Sequence, residues 1–112
     1  MSKGFLTGTL VLILLTAFGI GNAFAQHTAT VVDITTGPYE GATVEFWMNG
    51  HPPDFEVTNE DGEAEWWGGA GAWNAHLILP TGYDYVDPPD GLYENVPEEE
   101  DVVFTIEPTP KK

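Results

Sequence analysis

The residues best suited to chemistry are carboxylates and amides that lie close together in two segments. Asn59 and Asp61 belong to "TNEDGEAEWW", and Asp84, Asp87 and Asp90 belong to "YDYVDPPDG". Clustered oxygen atoms of this kind are the ligands that Ca²⁺ prefers. Calcium bound by these acidic loops is therefore one hypothesis. Charged segments are more often only solvated surface, so we expect no cofactor.

The first of these segments does not fit an EF-hand. Such a loop would need a carboxylate at position 57 and a Glu at position 68, where the chain has Val57 and Gly68. Asp61-Gly62 between two alternating runs is instead typical of a hairpin turn, because both residues tolerate positive φ. We therefore expect a turn and no cofactor at this segment, with calcium binding as the alternative.

Aromatic side chains are the second group that could bind a ligand. Trp47 and Trp67 alternate with core-type residues and should point away from the core. Exposed rings can stack on a sugar ring or on a side chain of a partner protein. Tyr83 and Tyr85 either add to this ligand-binding surface or cover the two tryptophans from a nearby loop.

Catalytic constellations are missing from the sequence. The chain has no Cys, and its one Ser is Ser2. His27, His51 and His76 are too far apart in sequence to show metal-ligand spacing. Without a nucleophile motif we predict that the protein is not an enzyme.

The strongly negative net charge of the chain excludes some classes of binding partner. The formal net charge is −15, with 18 acidic residues, three lysines and no arginine. Such a surface repels phosphate backbones and anionic lipids, which argues against nucleic acid or an anionic membrane as partner. A protein or carbohydrate ligand, at the cell surface or in the medium, is the expected partner.

The N-terminal residues read as a signal peptide. Lys3 precedes an apolar run over residues 5–20, and Ala23-Phe24-Ala25 supplies small residues for cleavage before Gln26. The alternative is a retained membrane anchor. We expect a signal peptide at 1–25, one domain at 26–107 and a C-terminal tail at 108–112. The mature protein would be secreted or periplasmic, without a stable membrane span.

Alternating apolar residues predict strands throughout the mature chain. The side chains expected to face the core include Val44, Phe46, Trp66, Trp73 and Phe104. Residues 80–91 are predicted to form a long loop. No helical spacing is present. The pattern predicts an all-β fold, a single antiparallel β-sandwich of about seven strands.

Three segments resemble one group of immunoglobulin-like, prealbumin-like sandwiches. "GPYEGATVEFW" at 37–47, "TNEDGEAEW" at 58–66 and "GAWNAHLILPTGY" at 71–83 are similar to motifs of carboxypeptidase regulatory-like domains and collagen-adhesin B-type (Cna-B-like) repeats. Some of those repeats carry a Lys–Asn isopeptide bond, which needs a Lys on the first strand. Residues 26–34 contain none, so we expect no such bond.

The resemblance implies a secreted, non-enzymatic module for binding or structural display outside the cytoplasm. Sorting to a cell wall is not predicted, because Leu79-Pro80-Thr81-Gly82 is one residue short of the sorting motif and lies within the domain. The alternative function is a calcium-dependent or carbohydrate-binding module that uses the exposed tryptophans and the acidic loops.

Overall fold

The computed structural model describes residues 24–111 and shows an all-β sandwich. These residues form nine strands and no helix. The strands are β1 Phe24–Asp33, β2 Gly37–Pro38, β3 Thr43–Trp47, β4 Asp54–Val57, β5 Glu63–Gly69, β6 Trp73–Ile78, β7 Tyr83–Asp87, β8 Leu92–Val96 and β9 Val102–Pro108. The predicted sandwich is confirmed.

The strands form two sheets. One sheet has the order β5-β1-β9-β7, with the short β2 also paired to β1, and the other has the order β4-β3-β6-β8. All neighbouring strands are antiparallel except β1 and β9, which run parallel. The loop predicted over residues 80–91 is wrong in part, because β7 lies inside it and pairs with β9.

The core lies between the inward faces of the two sheets. Alternation along β3, β5 and β9 buries one side of each strand. Trp66 of β5 and Trp73 of β6 are buried, as predicted. The fully buried large side chains are Trp73, Phe46, Phe104, Leu77, Ile106, His27, Val31 and Val44. In β4, Phe55 and Val57 share one side as expected, but that side faces solvent.

The segment "NEDG" is a turn, and its predicted role as a hairpin is wrong. β4 pairs with β3 in one sheet, whereas β5 pairs with β1 in the other, so the turn carries the chain between sheets. Asn59 Oδ1 accepts hydrogen bonds from the backbone N–H of Asp61 (2.9 Å) and Glu63 (3.0 Å). The sequence predicted that these residues form a turn, but it did not predict which strands β4 and β5 pair with.

Buried Thr58 fixes the start of this turn. Its Oγ1 accepts from Ala42 N (2.9 Å) and donates to Tyr39 O (2.7 Å). Its backbone N–H donates to Ala42 O (2.8 Å). Satisfied polar groups of this kind avoid the cost of burying an unpaired donor or acceptor. The turn is therefore held to the segment that enters β3.

Most of the predicted signal peptide lies outside the described residues. Phe24 and Ala25, which cleavage before Gln26 would remove, stand opposite Gly69 and Gly68 in the β1–β5 pair. Over the stretch that the structure describes, no helix has the length and apolarity to cross a membrane.

Candidate functional site

A cleft of about 260 Å³ opens beside the last residues of β5, where the two sheets face each other at one edge of the sandwich. One wall comes from β5 and the other from the β3–β4 loop and the start of β4. The lining residues are Met48, His51, Pro52, Asp54, Trp66, Trp67, Gly68 and Gly69.

The two adjacent tryptophans of β5 that line this cleft point in opposite directions. Successive side chains of a strand point to opposite faces. Trp66 accordingly points inward and is 6% exposed, whereas Trp67 points outward and is 64% exposed. The predicted exposure of Trp67 is confirmed, and Trp67 is one of the residues that line the cleft.

Trp66 forms the inner wall and ties the two sheets together. Its ring stacks on Phe46 of β3 (centroids 5.4 Å apart, 16° between planes). Its indole N–H donates to Asp54 Oδ2 of β4 at 2.8 Å. A Cβ at Gly68 would stand 2.5 Å from the Trp66 ring, so only glycine leaves room for this ring position. The wall thus depends on a glycine two residues along the same strand.

A buried histidine lies under the Gly69 end of the cleft. His27 Nε2 lies 3.1 Å from Gly69 O, and the imidazole stacks on Trp73 at 4.7 Å. Its Nδ1 is buried without a hydrogen-bond partner in the described part of the chain. Because the ring packs between Trp73 and Trp66 (5.5 Å), it acts here as a core residue. Sequence reasoning did not select His27, since one histidine in an alternating strand gives no signal of its partners.

The opposite wall is a loop held by amides. His51 N donates to Met48 O (3.0 Å), which closes a turn with Gly50 at φ +86°. Buried Asn74 of β6 donates to Trp47 O and to Asn49 Oδ1, both at 3.1 Å. These bonds fix the end of β3, so Met48 and His51 are presented from a defined backbone.

The four aromatic residues predicted to bind a ligand are not brought together. Trp67 lies on the outer face of the β5-β1-β9-β7 sheet, and Trp47 lies on the outer face of the other sheet. β7 is separated from β5 by two strands. Tyr83 packs edge-to-face on Tyr39 (5.2 Å), and the Tyr85 hydroxyl donates to Leu77 O (2.6 Å). Neither tyrosine covers Trp67.

The candidate calcium ligands are also dispersed. Asn59 and Asp61 belong to the turn between sheets, whereas Asp84 and Asp87 belong to β7 and Asp90 to the turn after it. Asp84 Oδ1 accepts from Thr109 Oγ1 (2.9 Å), and Asp90 Oδ1 accepts from Leu92 N (3.1 Å). Within residues 24–111, no cluster of three or more His, Cys, Asp or Glu side chains has an arrangement suited to a metal ion. Calcium binding stays a prediction.

The shifted pKa values lie away from the cleft. Hydrogen bonds from Thr35 lower the pKa of Asp33 at the end of β1. Desolvation raises the pKa of Tyr83, and the nearby Asp33 carboxylate adds to that shift. Burial also raises the pKa of Tyr85 and of Tyr93. These shifts describe structural contacts of β1, β7 and β8 and add no acid or base to the cleft.

Comparison with protein families gives no match, and comparison with curated proteins gives no significant match. Solved structures do resemble the chain. A point mutant of the shaft pilin SpaA from Lactobacillus rhamnosus GG matches with a TM-score of 0.61 and 12% identity, over 83% of this chain and 49% of that one. The minor pilin of Streptococcus agalactiae matches with a TM-score of 0.58 and 17% identity, over 80% and 47%.

The Bacillus anthracis TIE protein matches with a TM-score of 0.55 and 17% identity, over 79% of this chain and 18% of that one. The chain thus spans half or less of the length of these structures. The protein has the prealbumin-like fold of the Cna-B-like domains. The resemblance that the three sequence segments suggested is confirmed at the level of the fold. In this sandwich the cleft lies at the end of the sheet where β1 begins.

Proposed function

We propose that the protein is an exported, non-enzymatic β-sandwich module that serves as a structural unit outside the cytoplasm, either for display or for binding. Its fold is that of domains found in pilins, which supports a structural role. Export, whether to the periplasm or to the medium, rests on the predicted signal peptide. The calcium-dependent or carbohydrate-binding alternative has no specific support from the geometry and stays a prediction.

The observation that carries this proposal is the parallel pairing of the first and last strands. β1 and β9 lie side by side from Ala29↔Val102 to Asp33↔Ile106. Because they run in the same direction, the chain enters at one end of the sandwich and leaves at the other. Tension between these two ends would act along the strands and load their hydrogen bonds together.

β1 is held from both sides against such a load. Residues 24–30 pair with β5, and residues 29–33 pair with β9. Pulling β1 out along its axis must therefore break two sets of ladder bonds at once. This arrangement suits a unit that keeps its shape in an extended assembly.

Single-molecule force spectroscopy tests the proposal. The chain has no cysteine, so paired substitutions give unique handles. When force is applied through attachment points at Gln26→Cys and Lys111→Cys, β1 and β9 are pulled in opposite directions along their axes, so their hydrogen bonds are loaded in shear. Attachment points at Thr36→Cys and Lys111→Cys lie at the same end of β1 and β9. Force applied there separates the two strands one hydrogen bond after another.

We expect a clearly higher unfolding force for the shear pair, although both variants have the same fold. Forced unfolding is governed by the unfolding rate and so reports the barrier along each pulling direction. Equal forces in the two geometries, or a lower force in shear, would reject the structural role that we propose.

A further inference from the structure

We propose that the β5 edge and its cleft bind an extended segment of a partner protein that places a Lys or Arg side chain in the cleft. This inference goes beyond the structural role proposed above and does not depend on it. It rests on three features of the same edge: unpaired backbone groups, an aromatic wall with a carboxylate, and acidic side chains without a nearby Lys or Arg among residues 24–111.

The backbone groups follow from the phase of the β1–β5 ladder. Val31 N–H donates to Gly62 O at 2.7 Å, which makes these two residues a hydrogen-bonded pair. Such pairs alternate along antiparallel strands, so the next are Ala29/Ala64 and His27/Trp66. The residues between them, Glu65 and Trp67, therefore direct their N–H and C=O groups away from β1.

Within residues 24–111, no strand is hydrogen-bonded to that side of β5, since β5 pairs with β1 alone. Glu65 and Trp67 thus offer backbone donors and acceptors to a further strand. An extended peptide binds such an edge through main-chain hydrogen bonds, and pockets for alternate side chains then give specificity. The cleft adjoins Trp67 on this same strand.

The chemistry of the cleft suits a cation. Trp66, Trp67 and Asp54 all line it, with the Trp66 ring turned inward and the Trp67 ring exposed on the other face of β5. Indole rings attract Lys and Arg side chains through cation–π interaction. Asp54 uses Oδ2 to accept the Trp66 N–H, and its second oxygen faces no described donor. A cationic head group could therefore contact both an aromatic ring and a carboxylate.

Charge complementarity also selects a cationic partner. Four acidic residues lie on the two edge strands beside the cleft: Asp54, Glu56, Glu63 and Glu65. Between residues 24 and 110 the chain contains no Lys or Arg. Lys111 follows the far end of β9, at least about 25 Å along the sheet from the cleft at the rise of an extended strand. Within residues 24–111, no Lys or Arg side chain lies near the cleft, so a basic segment of a partner would bring the opposite charge to it.

The size of the cleft favours a side chain over a larger ligand. Sites for drug-sized molecules enclose about 300–1,000 Å³, and this cleft has about 260 Å³. A second copy of the chain is a poor occupant, because both copies would bring acidic edge strands together. A basic segment of a different protein meets all three conditions.

Binding of a defined peptide tests the inference. The probe is a capped eight-residue peptide of alternating Lys and Val, followed by tryptophan fluorescence at moderate salt. A matched Glu–Val peptide should not bind. Trp67→Ala and Asp54→Asn should each weaken binding of the Lys–Val peptide about three- to tenfold, since exposed cation–π and charge contacts have modest energies.

Two control variants separate the site from general attraction. Val103→Ala removes another exposed apolar side chain on the same sheet, and Asp61→Asn removes one charge from the distant turn. Both should leave the affinity unchanged. If Asp61→Asn weakens binding as much as Asp54→Asn does, net charge alone explains the attraction and the inference is rejected.

Further probes distinguish the other occupants. A Lys–Val peptide with N-methyl groups on alternate backbone nitrogens cannot form the main-chain hydrogen bonds and should not bind. If acetyl-lysine methylamide, a single residue, binds as tightly as the full Lys–Val peptide, the β5 edge has no role in binding. Trp67-dependent binding of cellohexaose without binding of the peptide would identify a glycan site instead. If the protein self-associates and Lys111→Ala abolishes this self-association, the ligand of the cleft is a second copy of the chain. Urea unfolding of each variant checks that the fold is intact.

Discussion

Asp33 shows how a single carboxylate makes the end of a strand sensitive to pH. Its Oδ1 accepts from Thr35 N (2.8 Å) and from Thr35 Oγ1 (2.6 Å), and these bonds lower its pKa below 3.8. A carboxyl group with a lowered pKa in the folded state contributes stability above its unfolded pKa. That contribution disappears as the pH falls through the lower, folded value.

We therefore expect Asp33→Asn to unfold at lower urea concentration than the parent chain at pH 7, and the difference to shrink below about pH 4. Urea titrations between pH 7 and pH 2.5 measure it. Asp61→Asn, an exposed carboxylate in the turn between sheets, serves as the matched control. A difference that stays constant over this range would show that charge on Asp33 is not responsible.

At the level of single residues, sequence patterns predicted orientation well and proximity poorly. Alternation placed Trp66 and Trp73 inward and left Trp67 exposed, as the structure shows. The cleft partners His51 and Asp54 were not identified, because they belong to the loop after β3 and to β4, in the other sheet. Orientation is a local property of a strand, whereas such contacts depend on how the sheets stack.

Gly62 decides the geometry of the turn between β4 and β5. It has φ +76°, and an added Cβ would lie 2.6 Å from Val31 O. Gly62→Ala therefore meets two costs, left-handed strain of about 1–2 kcal/mol and a backbone clash. We expect it to lower the free energy of unfolding by more than that strain alone.

Gly41→Ala provides the comparison. Gly41 has a similar positive φ of +93°, but nothing lies within 4 Å of the position that a Cβ would occupy. Urea unfolding should show a loss near the strain value for Gly41→Ala and a larger loss for Gly62→Ala. Similar losses for both variants would mean that the turn relaxes away from β1 at little cost.

Elements were predictable where apolar alternation is strong. Phe46 of β3, Trp73 of β6 and Phe104 of β9 are buried, as their alternation predicted. β7 was missed because Asp and Pro dominate residues 84–90, and its stability comes from pairing with β9. The order of strands was not predictable either, since the parallel contact of β1 with β9 joins residues more than 70 positions apart.

The whole molecule combines two layers of strands with an unbalanced charge. Acidic residues lie on all four outer strands of the two sheets: on β5 and β4 at one edge, and on β7 and β8 at the other. Charged side chains on edge strands discourage pairing with other copies. The same charges repel one another within one molecule, so solubility and resistance to self-association carry a cost in stability.

Added salt should therefore stabilise the fold. The Debye length falls from about 30 Å at 0.01 M to about 3 Å at 1 M, which screens repulsion among the charges of a chain with net charge −15. We expect the melting temperature to rise by several degrees between these NaCl concentrations, because about 1 kcal/mol corresponds to about 4–8 °C in a domain of this size.

A variant with reduced charge separates screening from general salting-out. Glu99→Gln, Glu100→Gln and Asp101→Asn remove three charges from an exposed acidic run before β9. This triple variant should melt at higher temperature than the parent chain at 0.01 M NaCl and gain less from added salt. An equal gain in both proteins would attribute the stabilisation to the effect of salt on apolar burial, and would show that the acidic surface does not limit the stability of the sandwich.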